Sequence, residues 1–99
     1  MILQKHKDEI IKLCKAYSVK NLFAFGSVLR DDFSESSDID FVVEIDANDP
    51  LVYAENYFGL KFKLEELFGR PVDLLEERAL KNQYLIQSIN QSKSLIYAA

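Results

Sequence analysis

One eight-residue run, Asp38-Ile39-Asp40-Phe41-Val42-Val43-Glu44-Ile45, limits the fold of this chain more than any other segment. Its apolar positions alternate with polar ones, so it reads as a strand from Asp38 to Ile45. Side chains two apart on a strand share a face. Ile39, Phe41 and Val43 therefore turn one way, into a core, while Asp38 and Asp40 project together on the other side. Adjacent like charges oppose stability unless a cation neutralises them. Such a strand calls for an apolar layer against one face and a source of positive charge at one end of the other.

The rest of the chain supplies partners for it. Leu22-Phe23-Ala24-Phe25, stopped by Gly26, reads as a buried strand ending in a tight turn. Ser27 to Arg30 reads as one short helical turn, and Asp31 to Ser37 as a polar loop. Pro71-Val72-Asp73-Leu74-Leu75 is a third short strand, whose proline suits a first position or a sheet edge. Leu3, Ile10, Leu13, Cys14 and Tyr17 recur at helical spacing over residues 3–17. Tyr53, Tyr57, Leu60, Leu64 and Leu67 do so over Leu51–Phe68, with Gly69 placed to end that helix. Residues 78–91 read as a weaker helix, and Ser94-Leu95-Ile96-Tyr97 as a last strand or an extended tail. This order predicts an α/β (α+β) fold, a small mixed sheet with helices on one or both faces. At 99 residues the expectation is a single domain spanning 1–99.

Composition excludes some functions. No apolar run approaches the roughly 20 residues that span a bilayer, so no membrane association is expected. The start of the chain has no apolar segment of the signal-peptide kind, and Cys14 is the only cysteine. A reducing, cytoplasmic setting is the expectation. Net charge is −4 and the lysines are scattered, which argues against a long nucleic acid. A nucleotide chelated to Mg²⁺ stays compatible, because the metal brings positive charge with it. His6 is expected to be solvated, Cys14 to lie in the core, and Tyr84 and Tyr97 to pack.

The chemistry concentrates in Gly26-Ser27, ten residues, then Asp38-Ile39-Asp40. An Asp-x-Asp pair can bridge two Mg²⁺ ions about 3.5–4 Å apart. Mg²⁺ also favours one or two carboxylates with waters and phosphate oxygens over an all-protein cage. Glycine at the end of a strand lets a phosphate approach the backbone closely, and the start of a helical turn offers free N–H groups. The Ser27 hydroxyl can donate to a phosphate oxygen, and Arg30, one turn on, can reach the same group. Asp73 interrupts an apolar strand, and burying it unpaired would be costly. If its strand lies beside Asp38–Ile45, it faces the same metals and can accept the acceptor's proton. The plain alternatives are a helix N-cap for Ser27, a surface ion pair with Asp31, Asp32 or Glu35 for Arg30, and a strand-edge acid for Asp73.

Phe23-Ala24-Phe25-Gly26-Ser27, Arg30, Ser37-Asp38-Ile39-Asp40-Phe41-Val42-Val43 and Val72-Asp73-Leu74-Leu75 together resemble the signature of the DNA polymerase beta-like nucleotidyltransferase superfamily. Among its members the chain is most similar to the minimal nucleotidyltransferases, or MNT-domain antitoxins, and Leu80–Leu85 and Leu95–Tyr97 resemble their C-terminal segment. The resemblance implies a polymerase-beta-like palm core and Mg²⁺-dependent transfer of AMP from ATP. It implies Gly26 and Ser27 as triphosphate contacts, and Asp38, Asp40 and Asp73 as ligands of two Mg²⁺ ions. It also implies an acceptor, a tyrosine of a cognate helical HEPN toxin bound as a hetero-oligomer. Asp31 departs from the family, which often has glycine there, and so does Gln83, where proline is common. Two other functions remain open: a non-catalytic antitoxin acting by contact alone, and transfer to a small molecule. The expected absence of an acceptor-holding second domain weighs against the latter.

Overall fold

The computed structural model describes residues 2–30, 34 and 37–99. Two helices open the chain, α1 (Ile2–Lys5) and α2 (Lys7–Ala16). They are followed by β1 (Val19–Phe25), a turn of 3-10 helix (Gly26–Leu29), β2 (Ile39–Ile45) and the long α3 (Pro50–Phe68). Then come β3 (Val72–Glu76), a second 3-10 turn (Glu77–Ala79), α4 (Gln83–Ser92) and β4 (Ser94–Ala98).

The four strands form one mixed sheet in the order β3-β2-β1-β4. β1 runs antiparallel to β2 and to β4. β2 and β3 run parallel, joined by the crossover helix α3. The terminal segment is thus a genuine strand, and the proline-led β3 sits at an edge, as its sequence suggests.

The alternation in β2 sets the layers. Ile39, Phe41, Val43 and Ile45 are buried, and with Leu22, Ala24, Val72 and Leu74 they meet Ile10, Cys14, Leu60, Leu64 and Phe68 from the helices. Phe41 is fully buried, a burial that stabilises by about 1.5–3 kcal/mol. Burial pushes the Cys14 thiol up to about 12, so this cysteine is a core residue and an inert one. On the other sheet face, α4 covers only part of the surface. A cavity of about 220 Å³ is lined by Val42 and by Leu80, Ile86 and Ile89 around α4.

Local chemistry explains the ends of α3. The Asp49 side chain accepts the Leu51 N–H at 2.8 Å, Pro50 takes the first turn, and Gly69 closes the helix at φ 64°. Four expectations need correction. Residues 3–17 are two helices, because His6 leaves helical dihedrals (φ −109°, ψ 18°) and its ring packs edge-on against Phe68 at 5.4 Å. That contact also means His6 is not simply solvated. The segment 78–91 divides into a 3-10 turn and α4, since the Asn82 side chain caps a new helix by accepting from the Tyr84 and Leu85 N–H groups. Tyr84 is no packing residue: it stands in the first turn of α4 and is 85% exposed. Tyr97 does pack against the core.

Candidate active site

β1 and β2 bring Gly26 and Asp40 into contact. Phe25 pairs with Asp40 across the antiparallel ladder, and Gly26 follows at once. Gly26 adopts φ +78°, and a Cβ there would lie 2.7 Å from Asp40 Oδ2. Both the left-handed backbone and the close carboxylate require glycine. Ser27 lies within the 3-10 turn and Phe25 takes the N-cap position, so Ser27 is not a cap. Its hydroxyl donates instead to the Asp38 carbonyl at 3.4 Å, which ties the turn to the entrance of β2.

β3 adds the third acid. Asp73 is the register partner of Asp40 in the parallel β2–β3 pair, so the two lie side by side on one face. Asp38 sits one residue before β2 and is exposed, rather than within the strand. The three acids feel each other through Asp40. Its carboxyl is pushed above the ordinary value of 3.8, first by burial, then by Asp73, then by Asp38, while Arg30 pulls it back. The single arginine does not offset two neighbouring carboxylates and partial desolvation, so the site is short of positive charge.

Arg30 is exposed at the end of the 3-10 turn, its N–H donating to the Ser27 carbonyl at 2.9 Å. Its suggested pairing with Asp31, Asp32 or Glu35, and the effect of Asp31 itself, fall outside the described residues.

The donor chemistry suits Mg²⁺. Among the described residues no group of three or more His, Cys, Asp or Glu side chains is placed to hold a metal ion by itself. Asp40 and Asp73 are neighbours, with Asp38 beside them. That is an open set of hard oxygen donors, of the kind Mg²⁺ completes with water and substrate phosphate.

One contact near the three acids escapes sequence reading. Arg70, between α3 and β3, donates from Nη1 to the carbonyl oxygens of Ser34 at 2.9 Å and Ser37 at 3.2 Å. These residues lie more than thirty positions earlier, and a contact of that range has no local signal.

Residues 4–96 match the Nucleotidyltransferase domain family, and the chain belongs to it. A Methanocaldococcus jannaschii protein provisionally named a protein adenylyltransferase is 41% identical over 96 residues, 97% of this chain and 90% of that one. A solved structure provisionally described as a minimal nucleotidyltransferase superposes with a TM-score of 0.75 at 28% identity, covering 94% of this chain and 91% of its own. A chain in the complex of tri-AMPylated Shewanella oneidensis HEPN toxin with MNT antitoxin shares the fold, with a TM-score of 0.66 at 22% identity. It covers 97% of this chain and 72% of its own. Fold and family together make this chain a nucleotidyltransferase of the minimal type.

Proposed function

We propose that the chain transfers AMP from ATP to a tyrosine hydroxyl of a HEPN-domain toxin and thereby serves as its antitoxin. The observation that carries the reading is the register of Asp40 with Asp73, set against the cradle at Gly26. The relatives give it direction. A similar protein is named as a protein adenylyltransferase, and a chain of like fold stands in a complex with an AMPylated HEPN toxin.

Each residue has a role in this scheme. Gly26 lets the Asp40 carboxylate stand against the turn and offers its backbone to the triphosphate, and Ser27 turns its hydroxyl from the Asp38 carbonyl to a phosphate oxygen. Arg30 adds positive charge to the same group. Asp38, Asp40 and Asp73 would hold Mg²⁺, which supplies charge neutralisation at the triphosphate and at the departing pyrophosphate. Asp73, exposed on the edge strand, accepts the proton of the acceptor hydroxyl. The acceptor oxygen forms a bond to the α-phosphorus, and the bond from that phosphorus to the α,β-bridging oxygen breaks. Pyrophosphate leaves with the electron pair.

The test is intact mass spectrometry of the protein encoded by the neighbouring gene, expected to carry a HEPN domain, after incubation with the chain, ATP and Mg²⁺. Addition of one or more adenylyl groups, mapped to tyrosine, is the expected result. An unmodified neighbour would sink the reading. A second reading, neutralisation by contact alone, has its own support. Leu51, Phe58 and Phe62 are exposed along α3, and the last two rings stack at 6.4 Å. Rescue of cells by a variant with both Asp38 and Asp40 changed to alanine would favour it.

A further inference from the structure

We propose that Arg70 is a positioning residue for nucleotidyl transfer, fixing the backbone that leads into Asp38 so that this carboxylate stands against Asp40 and Asp73. The inference rests on the function proposed above. Asp38 precedes β2, so the strand ladder does not itself hold it. Two fastenings reach it. Ser27 Oγ donates to the Asp38 carbonyl, a bond given up when that hydroxyl turns to phosphate, and Arg70 Nη1 donates to the carbonyl of the preceding residue, Ser37, and to that of Ser34.

Arg70 belongs to a corner that governs both acid-bearing strands. It follows Gly69, the left-handed residue that ends α3. The neighbouring Pro71 carbonyl accepts the Ile39 N–H at 3.3 Å. Glu65 Oε2, in the last turn of α3, accepts the Val72 N–H at 3.0 Å. The α3–β3 corner thus grips the residues flanking Asp38 and the residue just before Asp73. A guanidinium is suited to this grip, because the two N–H groups of Nη1 that reach the carbonyls are held in one plane, where the donors of an ammonium turn freely. Neither Ser34 nor Ser37 belongs to the core, so the grip contributes no apolar burial.

The test uses the full chain, with Mn²⁺ alone as the probe of the acid site. Hydrogen exchange of the amides around residues 37–39 and steady-state transfer are measured alongside. Arg70→Ala is expected to keep its melting temperature near that of the parent, to exchange those amides faster and to bind Mn²⁺ more weakly. Its kcat is expected to fall by up to about a hundredfold, the cost of a misplaced group, with KM for ATP little changed. Arg70→Lys, whose ammonium ends short of the Nη1 position and has no planar donor array, is expected to be intermediate. It decides the matter if the alanine variant does not fold: parental exchange and Mn²⁺ affinity in folded Arg70→Lys would overturn the proposal. Asp40→Asn is the control. Loss of Mn²⁺ binding there, with Arg70→Ala at parental affinity, overturns the role of Arg70 and leaves the site standing. Parental Mn²⁺ binding in both overturns the acid site itself.

Discussion

The two faces of the sheet follow different rules, and β2 shows both along seven residues. Toward α2 and α3 it presents Ile39, Phe41, Val43 and Ile45, all buried. Toward the side that α4 only partly covers, it presents Asp40, Val42 and Glu44. At the middle of that second face packing still rules, since Val42 is buried and lies near Ile89. At the far end Glu44 is compensated, accepting from Asn21 Nδ2 at 3.2 Å and pairing with Lys20 at 3.6 Å. At the Asp40 end, charge of one sign accumulates. A fold optimised for stability alone would not place Asp73 opposite Asp40. The comparison sets residues packed for the fold against acids that the proposed transfer would use.

The largest effect should come from breaking the packed face. Phe41→Ala removes a fully buried ring and is expected to cost about 3–5 kcal/mol. In a chain of this size that is much of the total stability, and urea unfolding followed by circular dichroism would measure it. A loss well under half that would mean the two faces are less different than described.

Gly26→Ala probes the seam between fold and site. The left-handed backbone at φ +78° should cost about 1–2 kcal/mol with a Cβ present. The new methyl must also displace the Asp40 carboxylate, so transfer is expected to fall further than stability does. Comparison of the melting temperature with the rate of pyrophosphate release checks this. A variant that transfers at the parental rate would show that the cradle is not used.

A smaller effect concerns pH. Asp40 titrates above its ordinary value of 3.8 in the folded protein, so between the two values the folded state binds more protons than the unfolded one. Stability contributed by this group is therefore complete below 3.8 and is lost as pH rises through the raised value. Without divalent cation, the urea midpoint of the parent is expected to fall relative to that of Asp40→Asn as pH rises through that window. Parallel pH profiles for the two proteins would contradict the assignment. The smallest effect lies far from the site. Asp49→Ala removes the α3 cap and should cost about 1 kcal/mol, with transfer unchanged.

Much of this arrangement is legible in the residues themselves. The alternation of Asp38–Ile45 marks a two-faced strand because the period of a strand is a local property. Gly26 and the end of α3 are marked by glycines that the backbone needs. The pairing of β2 with β3 follows only conditionally from the chain, and the structure supplies the register that brings Asp73 to Asp40. Arg70 stayed hidden because its partners among the described residues are backbone carbonyls, which carry no side-chain signature. The break at His6 stayed hidden because no proline or glycine marks it, and the His6 contact with Phe68 is distant in sequence. Tyr84 misled because an aromatic residue in an amphipathic helix suggests burial, yet the Asn82 cap places it on the outer side of the first turn.

If Asp40 serves the proposed transfer at a cost in stability, one variant tests both halves. Asp40→Asn should be assayed for adenylyl transfer to the partner by intact mass and, in the same preparation at neutral pH without divalent cation, for its melting temperature. The account predicts transfer reduced by about a thousandfold, in line with losing a central electrostatic group, together with a melting temperature equal to or above the parent's. Substantial residual transfer, or a loss of stability like that of a core substitution, would contradict it.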